Sequence, residues 1–125
     1  MRHVMNNHIG RGGHLSAQPM GALRDFVARD PATERPAVIN FPVEADNPFR
    51  IDLPAALELI AQYRPELIIF GKSMVITREP VQAVRDFLDD HGIDAVLMYD
   101  MAHVLGMVGP HFQDPFKEGA DLVTG

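Results

Sequence analysis

The sequence predicts an α/β domain built on a mostly parallel sheet. From Pro36 onward, short β-rich runs alternate with helical patterns, as they do when helices connect parallel strands. The apolar runs at 67–70 and 95–99 flank one such helical pattern, making a strand, helix, strand unit of about thirty residues, the usual size of a right-handed crossover. The first of these runs is apolar at every position, which suits a strand buried on both faces.

Each element has its own signal. Met20, Leu23, Phe26 and Val27 are spaced to share a helical face, and residues 29–36 form a polar loop bracketed by Pro31 and Pro36. Residues 37–41 read as a short strand. Asp52 is placed to cap a helix whose apolar positions, Leu53, Ala56, Leu57, Ile60 and Ala61, follow helical spacing, with Pro65 stopping it. After the strand at 67–70, Pro80 occupies the first turn of a second helix; Val81, Val84, Phe87 and Leu88 form its stripe, and Gly92 closes it. The strand at 95–99 follows, and residues 121–124 begin one more. No repeat, low-complexity tract or long linker divides the chain, so it reads as one domain or a piece of one.

Composition narrows the function. A chain of 125 residues supports one modest core, and its apolar fraction of 46% and charged fraction of 22% are those of a folded soluble protein. With a formal charge of −6, two lysines and nine scattered arginines, it lacks the basic stripe that nucleic-acid binding requires. The N-terminus has no apolar core of a signal peptide, and no run approaches membrane-spanning length, so neither nucleic acid nor membrane is an expected partner. The absence of cysteine removes disulfides, thiolate nucleophiles and cysteine-ligated zinc, and is compatible with a reducing cytoplasm, the expected location.

Most of the chemistry lies in Met98-Tyr99-Asp100-Met101-Ala102-His103-Val104-Leu105-Gly106. Here an apolar run ends in a carboxylate, which is costly at the end of a buried strand unless a cation meets it; the protonated pyridine nitrogen of pyridoxal phosphate is one such cation. Ligands of open α/β sheets collect at the carboxyl ends of strands, where Asp100 and His103 fall on one strand and Ser73 on the next. Other readings stand beside this one. Asp100 could cap a short helix starting at Met101, and His103 could be an interior histidine. The pair could also be half of a metal site, but its nearest further ligand, His111, lies beyond Gly109-Pro110, and no metal is expected.

Four separated motifs, in order, resemble the serine hydroxymethyltransferase family of pyridoxal-phosphate enzymes. They are Gly12-Gly13-His14-Leu15-Ser16, residues 65–73 ending in Gly71-Lys72-Ser73, Tyr99-Asp100-Met101-Ala102-His103-Val104-Leu105-Gly106, and Gly119-Ala120-Asp121-Leu122-Val123-Thr124. The resemblance implies an aspartate aminotransferase-like large domain, of which residues 1–125 are the central part. It implies pyridoxal 5'-phosphate as cofactor, an amino acid as substrate, tetrahydrofolate as one-carbon acceptor and a homodimer or homotetramer. By the same resemblance, Asp100 pairs with the pyridinium nitrogen, His103 lies beside the phenolic oxygen, His14 stacks over the ring, Ser73 lies near the cofactor, and Gly13 and Leu15 border the pterin.

Two departures qualify it. The family's Gly-Gly-His-Leu-Thr-His-Gly reads here as Gly12-Gly13-His14-Leu15-Ser16-Ala17-Gln18, without the second histidine. This, with Pro19-Met20-Gly21-Ala22-Leu23 and the segment 112–119, is similar to a branch that includes threonine transaldolase-like enzymes, which move an aldehyde without folate. The family's Schiff-base lysine follows the segment matching Val123-Thr124, and neither Lys72 nor Lys117 matches it; both are expected to be solvated. The chain therefore reads as a fragment, inactive alone, of a hydroxymethyltransferase interconverting serine and glycine. The alternatives are a folate-independent transaldolase or aldolase of β-hydroxy amino acids, and a non-catalytic α/β binding module.

Overall fold

The computed structural model describes residues 1–73, 75–105 and 112–125. Five strands form one sheet: β1 (Val4–Asn6), β2 (Val38–Asn40), β3 (Leu67–Phe70), β4 (Val96–Asp100) and β5 (Leu122–Thr124). Their spatial order is β2-β1-β3-β4-β5, and every pairing is parallel. Val4 is opposite both Val38 and Leu67, and Asp100 is opposite Thr124, so the carboxyl ends of the strands are aligned along one edge.

Helices α1 (Leu53–Tyr63) and α2 (Val81–Asp90) connect β2 to β3 and β3 to β4. Both pack on one face of the sheet, where Ile68, Phe70, Leu97 and Tyr99 meet Ile60 and Val84. Asp52 caps α1 by accepting a hydrogen bond from the Ala55 amide at 3.2 Å, as expected. Gly92 takes φ +61° after α2, the conformation that ends a helix with least strain. Pro80 caps α2 from outside rather than lying within its first turn. Ala61 is solvent-exposed. At 100° per residue it stands about 140° around the helix from buried Ala56, off the packed stripe.

The connection from β1 to β2 covers the opposite face, where Ala17, Leu23 and Val27 pack on Val4 and Ile69. The strand at 67–70 is thus buried on both sides, as its sequence predicts. The predicted helical face at 20–27 is corrected: this segment is a succession of turns. Its amides bond three residues back, Gly21 to Gln18, Arg24 to Gly21 and Phe26 to Leu23. Pro19 and Gly21 are poor helix formers, and Gly21 sits so close to Leu15 that a Cβ would come within 2.1 Å of its carbonyl oxygen. Leu23 and Val27 still reach the core, whereas Met20 and Phe26 are 69% and 65% exposed.

Strand β1 carries no sequence signal of its own. Three residues are too few to display an alternation, yet Val4, Met5 and Asn6 are fully buried as a central strand because β2 and β3 pair on either side. Among the described residues no helix is long and apolar enough to cross a membrane.

Candidate active site

The chain passes from β1 outward to β2, then returns to place β3 on the other side of β1. Ligand crevices in open parallel sheets lie beyond the carboxyl ends of the strands near such a reversal. His14 belongs to the loop after β1, Ser73 to the loop after β3, Asp100 is the last residue of β4, and His103 follows one turn later. The structure brings these four together.

Asp100 divides its carboxylate between two tasks. One oxygen accepts a hydrogen bond from the Ala102 amide at 3.1 Å, holding the turn at 102–104. The other lies 2.8 Å from His14 Nδ1. Capping the turn therefore leaves one carboxylate oxygen free to face a second group. His14 is 7% exposed, and although its Nδ1 is close to Asp100, neither ring nitrogen has an aligned hydrogen-bond partner among the described residues. The His14 and His103 rings are 4.9 Å apart between centroids and inclined by 37°, and His103 Nε2 is 3.4 Å from Ser73 Oγ. His103 is exposed rather than interior. His111 lies outside the described residues.

Two short loops hold this arrangement. The Ser73 amide donates to the Gly12 carbonyl at 2.6 Å, tying the β3 loop to the β1 loop. Gly13 packs on the Asn7 backbone, where a Cβ would approach the carbonyl oxygen to 2.2 Å, so glycine is needed there for packing alone. Leu15, next to His14, is exposed.

No protein-family model matches the chain. A serine hydroxymethyltransferase of Archaeoglobus fulgidus is 34% identical over 125 residues, covering 98% of this chain and 26% of that protein. Those of Thermococcus gammatolerans and Thermoplasma acidophilum are each 36% identical, covering 94% and 98% of the chain. The chain matches a segment of the serine hydroxymethyltransferase family. It spans about a quarter of the length of these relatives.

Beneath the residues that resemble the serine hydroxymethyltransferase motifs lies a buried polar network that sequence reasoning missed. Lys72, expected to be solvated, is 1% exposed: its Nζ lies 3.1 Å from Glu79 Oε1 and donates to the Phe49 carbonyl at 2.8 Å. A carboxylate and a carbonyl at hydrogen-bond distance offset the cost of burying its charge. Lys117, by contrast, is exposed beside Asp114, as expected. The Glu79 carboxylate also accepts from Asn7 Nδ2 and the Gly71 amide, while Gln113 bonds both to the Glu79 backbone and to the Tyr99 hydroxyl. Burial, reinforced by the charges of Glu79 and Glu118, pushes the Tyr99 phenol well above a tyrosine's ordinary range. Lys72, Glu79 and Gln113 occupy irregular segments, where no periodic pattern distinguishes an inward side chain from an outward one.

Proposed function

We propose that this chain forms part of the cofactor-binding domain of a pyridoxal-phosphate enzyme that interconverts serine and glycine, with tetrahydrofolate taking up the one-carbon unit. The observation that carries this reading is the Asp100 carboxylate oxygen that is not committed to its own turn and faces a nitrogen heterocycle, His14, at 2.8 Å. A ring N–H of a nitrogen heterocycle suits that oxygen as a partner, and the protonated nitrogen of a pyridine ring is one such group. Among the described residues neither ring nitrogen of buried His14 has an aligned hydrogen-bond partner, which adds to the fit.

When bound, pyridoxal phosphate supplies an electron sink for bond breaking at the substrate α-carbon. In this reading Asp100 holds the proton on the pyridine nitrogen. His14 offers a flat ring beside the site, and His103, oriented by Ser73, presents a donor to the cofactor's phenolic oxygen. Gly13 and Leu15 border the pterin. The amino-acid substrate and a homodimer or homotetramer are carried over from the family resemblance, and the absence of cysteine is compatible with a cytoplasmic location.

The test is serine cleavage by the full-length protein containing this segment, followed as glycine formed with and without tetrahydrofolate. Glycine formation that depends strictly on tetrahydrofolate, and that is lost in Asp100→Asn, is expected. Equal rates without it, or an unaffected Asp100→Asn variant, would overturn the proposal.

A further inference from the structure

We propose that Glu79, with Lys72 as its counter-ion, is a positioning clamp that holds the loops carrying His14, Ser73 and Asp100 at their working separation. The importance of that separation rests on the functional reading above; the clamp itself is argued from geometry. Glu79 and Lys72 are 3% and 1% exposed, and neither bonds to any of the four site side chains.

One carboxylate receives three donors from two different loops. Glu79 Oε2 accepts from Asn7 Nδ2 at 2.9 Å and from the Gly71 amide at 3.3 Å, while Oε1 takes the Lys72 ammonium. Asn7 Nδ2 also donates to the Gly71 carbonyl at 3.2 Å, so the loops after β1 and β3 are joined twice at one point. Gln113 grips the Glu79 backbone on both sides, its Oε1 accepting from the amide and its Nε2 donating to the carbonyl. The carboxylate is therefore anchored rather than free to follow either loop.

From this anchor the connections to the site are short. Asn7 supports Gly13, the neighbour of His14, and Gly71 packs directly on the Asp100 backbone. Ser73 is two residues beyond Gly71 and bonded to Gly12. A purely stabilising role would be served as well by an apolar pair of similar size, since buried ion pairs rarely outperform one. Simultaneous acceptance of an amide, a backbone N–H and an ammonium is different. It needs an ionised carboxylate, because a glutamine has one acceptor oxygen and brings two donors of its own.

The test uses the chain with labelled histidines and the variants Glu79→Gln, Lys72→Met and the double variant. Urea denaturation reports stability, and the through-space proton contact between the His14 and His103 rings reports the site. Lys72→Met is expected to lower the urea midpoint but keep the contact, because Asn7 and Gly71 retain their carboxylate. The double variant, with no buried charge, is expected to recover most of the midpoint and yet lose at least half of the contact intensity. A double variant that regains both, or one that does not fold, would overturn the clamp. The contact is read without pyridoxal phosphate. If the contact is present but the full-length protein containing this segment binds no cofactor, the functional reading is overturned and the clamp stands.

Discussion

Gly71 lies against the backbone of Asp100 so closely that a Cβ on Gly71 would stand 2.1 Å from the Asp100 carbonyl oxygen. It also has φ +97°, a conformation that costs an L-residue about 1–2 kcal/mol. The β3 loop reaches the end of β4 only because this residue has no side chain.

Gly71→Ala is accordingly expected to lower the free energy of unfolding by about 2–4 kcal/mol, the strain and the backbone collision acting together. Urea denaturation measures it. An unchanged midpoint would mean that the β3 and β4 loops are not held in this contact.

Asp100→Asn should separate stability from binding. The asparagine oxygen can still accept from the Ala102 amide, so stability is expected to change by less than about 1 kcal/mol. Pyridoxal-phosphate affinity, read by fluorescence titration, is expected to fall at least about tenfold, the value of a charge-assisted hydrogen bond. Equal affinity in the variant would remove Asp100 from the cofactor site.

The raised pKa of Tyr99 makes stability depend on alkaline pH. The unfolded phenol loses its proton near pH 10, while the buried one, beside Glu79 and Glu118, retains it. Its contribution is therefore complete below pH 10 and is lost as the pH rises beyond that. Tyr99→Phe sacrifices the hydrogen bond to Gln113 and should be less stable at pH 7 by about 1 kcal/mol. The gap between the two proteins should narrow from pH 10 to 11 in urea titrations; a constant gap would contradict the burial of an un-ionised phenol.

Asp121 fastens the last strand. Its Oδ2 accepts from the Leu97 amide at 2.9 Å and from Arg85 at 2.6 Å, joining β5 to β4 and α2. Asp121→Ala should cost about 1–2 kcal/mol and accelerate hydrogen exchange at the Leu97 amide. Unchanged exchange at that amide would show that the side chain does not protect it.

What the sequence determines by itself is whatever is written in neighbouring residues. Asp52, the spacing of Ala56 and Ile60, the stripe from Val81 to Leu88 and Gly92 specify α1 and α2, because caps and helical faces are set within a few turns. The unbroken apolar run of β3 likewise declares burial on both faces. The ordered motifs also name His14, Ser73, Asp100 and His103 as candidates before any coordinate is known.

Tertiary structure alone decides where the code is not local. Val4–Asn6 becomes a central strand only because β2 and β3 supply its hydrogen bonds, and the 20–27 segment remains in turns although its apolar spacing allows a helix. Lys72 is buried because Glu79 and Phe49 converge on it, which no spacing along the chain encodes. The 2.8 Å approach of His14 to Asp100 joins residues from loops beyond different strands, and its physical cause is the parallel sheet that aligns the carboxyl ends of those strands. The sequence names the groups; their separations belong to the fold.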